Sequence, residues 1–148
     1  MTLTSAPVRE RDAYESNRAE APLRFRLRVN AAFSAASGSV AVAFSDGIAR
    51  SFGLDDARVV RAIGTALVLF GVGLVAVSRA RRPLLLDAAR IIVAADAAWV
   101  GGTLLVLAFI AMPARGRVLL ASTGLAVAAI CFAQWRSLRM FRRAVRSH

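Results

Sequence analysis

From residue 91 to residue 112 the chain runs for twenty-two residues with a single charge, Asp96. The hydrocarbon core of a bilayer is about 30 Å thick and takes roughly 20 mostly apolar helical residues to cross. Two more runs approach that length. Residues 62–77 carry no charge between Arg61 and Arg79, and residues 118–133 carry none before Gln134, Trp135 and Arg136. A fourth run, 29–45, is uncharged but built from small, weakly apolar residues. Pro83 and Pro113 fall between runs, where helices stop. These runs predict an all-α fold: a four-helix transmembrane bundle, up-down-up-down, with short connections and spans at about 29–45, 59–78, 88–112 and 118–135.

The flanks divide the rest of the chain. Residues 1–28 hold six arginines and four acids with no apolar stretch, which excludes a cleaved signal peptide. Residues 1–22 read as a disordered polar tail. Residues 23–28 alternate apolar and basic side chains, a pattern that fits a short strand or, beside a span, a segment at the headgroups. Residues 137–148 read as a basic amphipathic helical tail. There Arg136, Arg139, Arg143 and Arg146 fall on one face at 3-4-3 spacing, and Leu138, Phe141 and Val145 on another. Those arginines are placed to contact anionic lipid headgroups, with a partner protein as the alternative. Trp135 falls at the interface.

Charge sets the orientation. All twenty basic residues are arginine. If both termini lie in the cytoplasm, the N-terminal tail, the 79–90 connection and the C-terminal tail place fifteen arginines inside, against five outside. The sequence pI of about 11.8 also fits a nucleic-acid binder. Arginines sorted by membrane side, with no basic-aromatic binding module, argue instead for lipid as the partner and against nucleic acid. The 57% hydrophobic content and mean hydropathy of +0.57 agree with a membrane protein of one domain.

Catalytic chemistry finds little material. Cys131 is the one cysteine, which excludes an internal disulfide and a cysteine metal cluster. His148, the one histidine, is the last residue. No acid–base pair, nucleophile–base set or metal cluster is evident, so the chain is expected to be neither an enzyme nor a binder of cofactor or metal.

The helix faces carry more information. Val29, Phe33, Val40 and Phe44 recur on one face of the first span, and Asn30, Ser34, Ser37, Ala41 and Ser45 on another, with Gly38 beside it. Large apolar groups suit lipid, whereas small and hydroxylated residues let helices approach closely. Gly64 and Gly71, seven apart with Gly73 nearby, repeat this in the second span. Asp55 is the expected N-cap of that span, with Leu54 before it. Residues 47–52 suggest a short interfacial turn carrying Ile48 and Phe52.

Counting rise along each span brings Asn30, Ser34, Ser78, Asp96, Cys131 and Gln134 into the inner third of the bilayer. Trp99 shares the Asp96 face. Two readings of Asp96 remain. In one it is a structural tie, protonated or hydrogen-bonded to Asn30 and Ser34. In the other it is a proton- or cation-coupling site, since an acid inside a span marks function by default.

Four elements carry a resemblance: residues 30–38 in the first span, Arg61 to Gly64 opening the second, Asp96 to Val100, and Gln134-Trp135-Arg136 closing the last. Over residues 27–143 the chain resembles a group of small, uncharacterised bacterial inner-membrane proteins with four spans, and more loosely the DoxX-like four-helix membrane proteins. The resemblance implies a multi-pass protein of the bacterial inner membrane and supplies no catalytic residue. The resulting expectation is a non-enzymatic accessory, assembly or interaction component with a membrane-protein partner or a second copy. The alternative is a small oligomeric transporter or proton-coupled carrier that uses Asp96.

Overall fold

The computed structural model describes the backbone of residues 6–146 and the side chains of residues 20–140 apart from that of Arg82. Among the described residues the fold is all helical, with no strand: α1 (Ala6–Ala43), α2 (Ser45–Phe52), α3 (Arg58–Ser78), α4 (Arg82–Phe109) and α5 (Ala114–Arg146). Three helices are long and apolar enough to cross a membrane, over Arg58–Ser78, Pro83–Phe109 and Ala114–Met140. The weakly apolar first run reaches that standard only as a bent pair, Glu20–Ala43 with Ser45–Phe52, which turn by 88° at Phe44.

The first helix departs most from expectation. Where a disordered tail and a headgroup-level or strand-like segment were expected, α1 is continuous from Ala6 and passes through Pro22. Residues 1–5 of that expected tail lie outside the described residues. The physical reason is a stripe that crosses the expected boundary at Val29. Leu23 and Leu27 are fully buried, followed by buried Asn30, Ala31 and Ser34, all at helical spacing. The arginines between the two leucines lie on the remaining faces. Burial of this stripe offsets the backbone bond that Pro22 removes.

Small residues set the α1–α3 contact. A Cβ built on Gly38 would lie 2.5 Å from the Gly64 carbonyl oxygen, and one on Gly64 would lie 2.8 Å from that of Gly38. Only hydrogen fits at both positions. Further along, Gly71 meets the backbone of Ala31 and Ala35. Gly73 has open space around it, so the two glycines seven apart are the packed ones. These pairings make α1 and α3 antiparallel. Of the expected lipid-facing residues Val29, Val40 and Phe44 are 43%, 52% and 66% exposed, but Phe33 is half-buried and turns toward the space between the helices, whereas Ser34 and Ser45 on the small face are buried.

The second pair is α4 with α5. Gly124 lies against the Thr103 side chain, and the Cys131 thiol against the Val93 carbonyl. The Arg26 guanidinium donates to the Ala133 carbonyl, which joins α1 to α5 antiparallel. Near the other end, Gly116 of α5 packs on Ser51 and Phe52 of α2. The four long helices therefore alternate in direction. An apolar core of Leu23, Leu27, Leu74, Leu85, Ile92 and Leu138 gathers their ends on the Arg24 side.

Helix termini correct three local expectations. The α3 N-cap is Ala57, not Asp55, and the Asp56 carboxylate accepts the Arg58 amide at 2.8 Å. Gly53, with φ of 72°, closes α2 in the left-handed region and so brings Asp56 to the free amides. Pro83 does not end a connection. It sits in the first turn of α4, where its missing N–H costs nothing, and so that helix starts at Arg82 rather than near 88. The same helix ends at Phe109, short of the expected 112.

Candidate functional site: a carboxylate among four helices

The one acid inside the apolar runs meets the polar face of α1. Asn30 Nδ2 donates to Asp96 Oδ2 at 2.8 Å, and Ser34 Oγ donates to Asn30 Oδ1 at 3.3 Å. Asn30, Ser34 and Asp96 are all at least 95% buried. Burial of an unpaired polar group costs free energy, so each link offsets part of the cost of placing an acid here. α1 and α4 otherwise make little contact. This short chain of hydrogen bonds thus adds a polar link from α1 to α4 beside the packing of α1 on α5, which also joins the two helix pairs.

A cavity of about 150 Å³ opens beside it. Asn30, Phe33, Ser34 and Ser37 of α1 form one wall and Leu67 and Phe70 of α3 another. Ala95, Asp96 and Trp99 of α4 face Thr123 and Val127 of α5. Trp99, expected to lie over the cluster, does line this space and is 37% exposed. The lining is largely apolar, and its hydroxyls are already engaged. Ser37 donates to the Phe33 carbonyl and Thr123 to the Leu119 carbonyl, both within their own helices.

The other residues expected at this depth take partners other than the Asp96 carboxylate, with Cys131 close by. Cys131 donates to the Val93 carbonyl at 3.6 Å, one turn before Asp96 on α4. Ser78 donates to Val75 at 2.8 Å, and its own carbonyl accepts Arg24 at 2.7 Å. Gln134 is fully buried, and both polar atoms of its amide lack a hydrogen-bond partner among the described residues, as does the Ser137 hydroxyl. Asp96 bonds Asn30 as the structural reading expected, whereas Ser34 reaches Asn30 and not the acid itself.

Sequence reasoning missed a second polar group. Arg24 bonds Glu20 at 2.8 Å and reaches the last turn of α3 through the Ser78 carbonyl. A cation at a helix C-terminus satisfies an orphan carbonyl and opposes the helix dipole. The i,i+4 spacing of Glu20 and Arg24 was the available signal, hidden by reading this segment as a tail.

Arg136 and Arg139 are exposed, and the Arg139 guanidinium stacks 4.1 Å from the centre of the Trp135 ring. The side chains of Arg143 and Arg146 lie outside the described residues. Among the described residues no group of His, Cys, Asp and Glu is arranged to hold a metal ion.

No protein-family model, curated protein or solved structure matches the chain. The fold defines the class: an all-helical protein with three helices suited to crossing a membrane.

Proposed function

We propose that the chain is a non-enzymatic, multi-pass protein of a bacterial inner membrane, crossing four times with both termini in the cytoplasm. It acts as an accessory, assembly or interaction component through its helix faces and basic ends. The observation that carries this reading is the Asn30–Asp96 hydrogen bond, which uses the buried acid to hold one helix pair to the other. The fourth crossing is supplied by α1, whose small face packs along α3 while Val29, Val40 and Phe44 point outward. The arginine distribution supports the orientation. Lipid and anionic headgroups are the first partners, and a second membrane protein or a second copy is the next.

Purification of the full chain from native membranes in a mild detergent tests the reading. The expected result is a defined complex, with a partner or with itself. A monomer that recovers alone under several mild detergents rejects the interaction role.

A second reading, a small oligomeric transporter or proton-coupled carrier using Asp96, is favoured by the cavity. A carboxylate that only tied helices together would need no space beside it reached by all four long helices.

A further inference from the structure

The geometry points to the cavity beside Asp96 as a binding site for a small organic ammonium ion, an amine on an aromatic or aliphatic body of about six to ten heavy atoms. The inference concerns binding alone and holds whether or not the protein carries the ligand across a membrane.

The argument rests first on what the cavity lacks. Asn30 satisfies Oδ2 of Asp96, and among the described residues Oδ1 has no hydrogen-bond partner and Asp96 forms no ion pair. A buried carboxylate held by one neutral amide is undercompensated. The nearby hydroxyl donors are spent: Ser34 on Asn30, Ser37 on Phe33 and Thr123 on Leu119. The Trp99 indole and the second hydrogen of the Asn30 amide are the neutral donors left, and Asp96 is the charged group of the lining. An anion meets a like charge, while an ammonium N–H finds the free oxygen of Asp96.

The walls agree with the floor. Phe33, Phe70 and Trp99 line the space, and aromatic rings attract a desolvated cation. An apolar cavity of about 150 Å³ in another protein admits one benzene-sized molecule. The volume here, about 150 Å³, suits a small arylalkylamine.

Calorimetric titration of the full chain in lipid nanodiscs, with benzylamine and its neutral analogue benzyl alcohol at neutral pH, tests the site. Wild type is expected to bind benzylamine saturably and about tenfold or more tighter than benzyl alcohol. Asp96→Asn keeps a partner for Asn30, so it should stay folded and lose that preference. Val127→Phe fills the cavity without touching Asp96 and should weaken both ligands. A melting curve for each variant separates loss of binding from loss of fold. The proposal is overturned if wild type does not distinguish amine from alcohol, if folded Asp96→Asn retains the preference, or if benzylamine binding survives Val127→Phe.

Discussion

Asn30 and Asp96, sixty-six residues apart, meet at 2.8 Å through an amide donor and a carboxylate acceptor, and the bond bridges two helices that otherwise make little contact. Its strength is expected to be modest. Interhelical hydrogen bonds in membranes average about 0.6 kcal/mol, with a maximum near about 1.7 kcal/mol. Asp96→Asn, which can still accept from Asn30, should melt close to wild type in detergent. Asp96→Leu removes the acceptor and orphans the Asn30 amide, so it should melt lower. A folded Asn variant that has lost a cellular phenotype would support the carrier reading over the structural one, and a Leu variant as stable as wild type would show that the tie contributes nothing.

Gly38 and Gly64 should resist substitution where Gly73 and Gly102 do not. A Cβ on Gly38 meets the Gly64 carbonyl oxygen at 2.5 Å, and one on Gly73 or Gly102 meets nothing within 4 Å. Gly38→Ala should therefore push α1 from α3 and cost about 1–3 kcal/mol, the range for overpacking. Gly73→Ala and Gly102→Ala should be neutral or stabilising, since alanine favours a helix. Thermal melts of all three in one detergent check the contrast.

Arg24 should matter more than Arg90. Arg24 joins a Glu20 that is 6% exposed and donates to the Ser78 carbonyl. Replacing it by methionine should cost about 1.5–3 kcal/mol, the range for hydrogen bonds to charged groups, reduced by the partial exposure of Arg24. Arg90 pairs with an exposed Asp87 at 3.2 Å, and Arg90→Gln should change stability by about 0.5 kcal/mol or less. Equal melting shifts for the two would contradict the role given to the α3 terminus.

Reporter fusions examine the orientation. Fusions after Arg82 and after His148 should both read cytoplasmic, and one within residues 113–117 should read external, as the arginine distribution requires. An external C-terminus would overturn the four crossings and the orientation together.

The C-terminal arginines should act on headgroups. Replacing Arg139, Arg143 and Arg146 with Gln should weaken contact with anionic vesicles, most visibly at low salt, and leave the melting temperature unchanged. Because the Arg139 guanidinium covers the Trp135 ring, Arg139→Gln alone should also shift the Trp135 emission. Lipid contact unaffected by all three changes would assign this face to a protein.

What the sequence determined by itself is the set of elements that depend on sums along the chain. Hydropathy adds residue by residue, so α3, α4 and α5 were legible as apolar runs, and periodicity exposed the small face of α1 because a helix repeats its faces locally. The expected depth of Asp96 rested on rise alone. Tertiary structure decided the rest. Whether residues 20–28 are helix depends on Leu23 and Leu27 finding a core made by Leu74, Leu85 and Leu138, which no local window contains. Which polar groups pair depends on azimuth and on helix order. Asn30 was among the polar residues expected near Asp96, and the structure singles it out as the partner while Ser34 bonds Asn30 and Ser78 bonds its own helix. The cavity is a property of four walls at once, visible only when Phe33, Leu67, Trp99 and Val127 are brought face to face by close approach at glycines elsewhere along the helices.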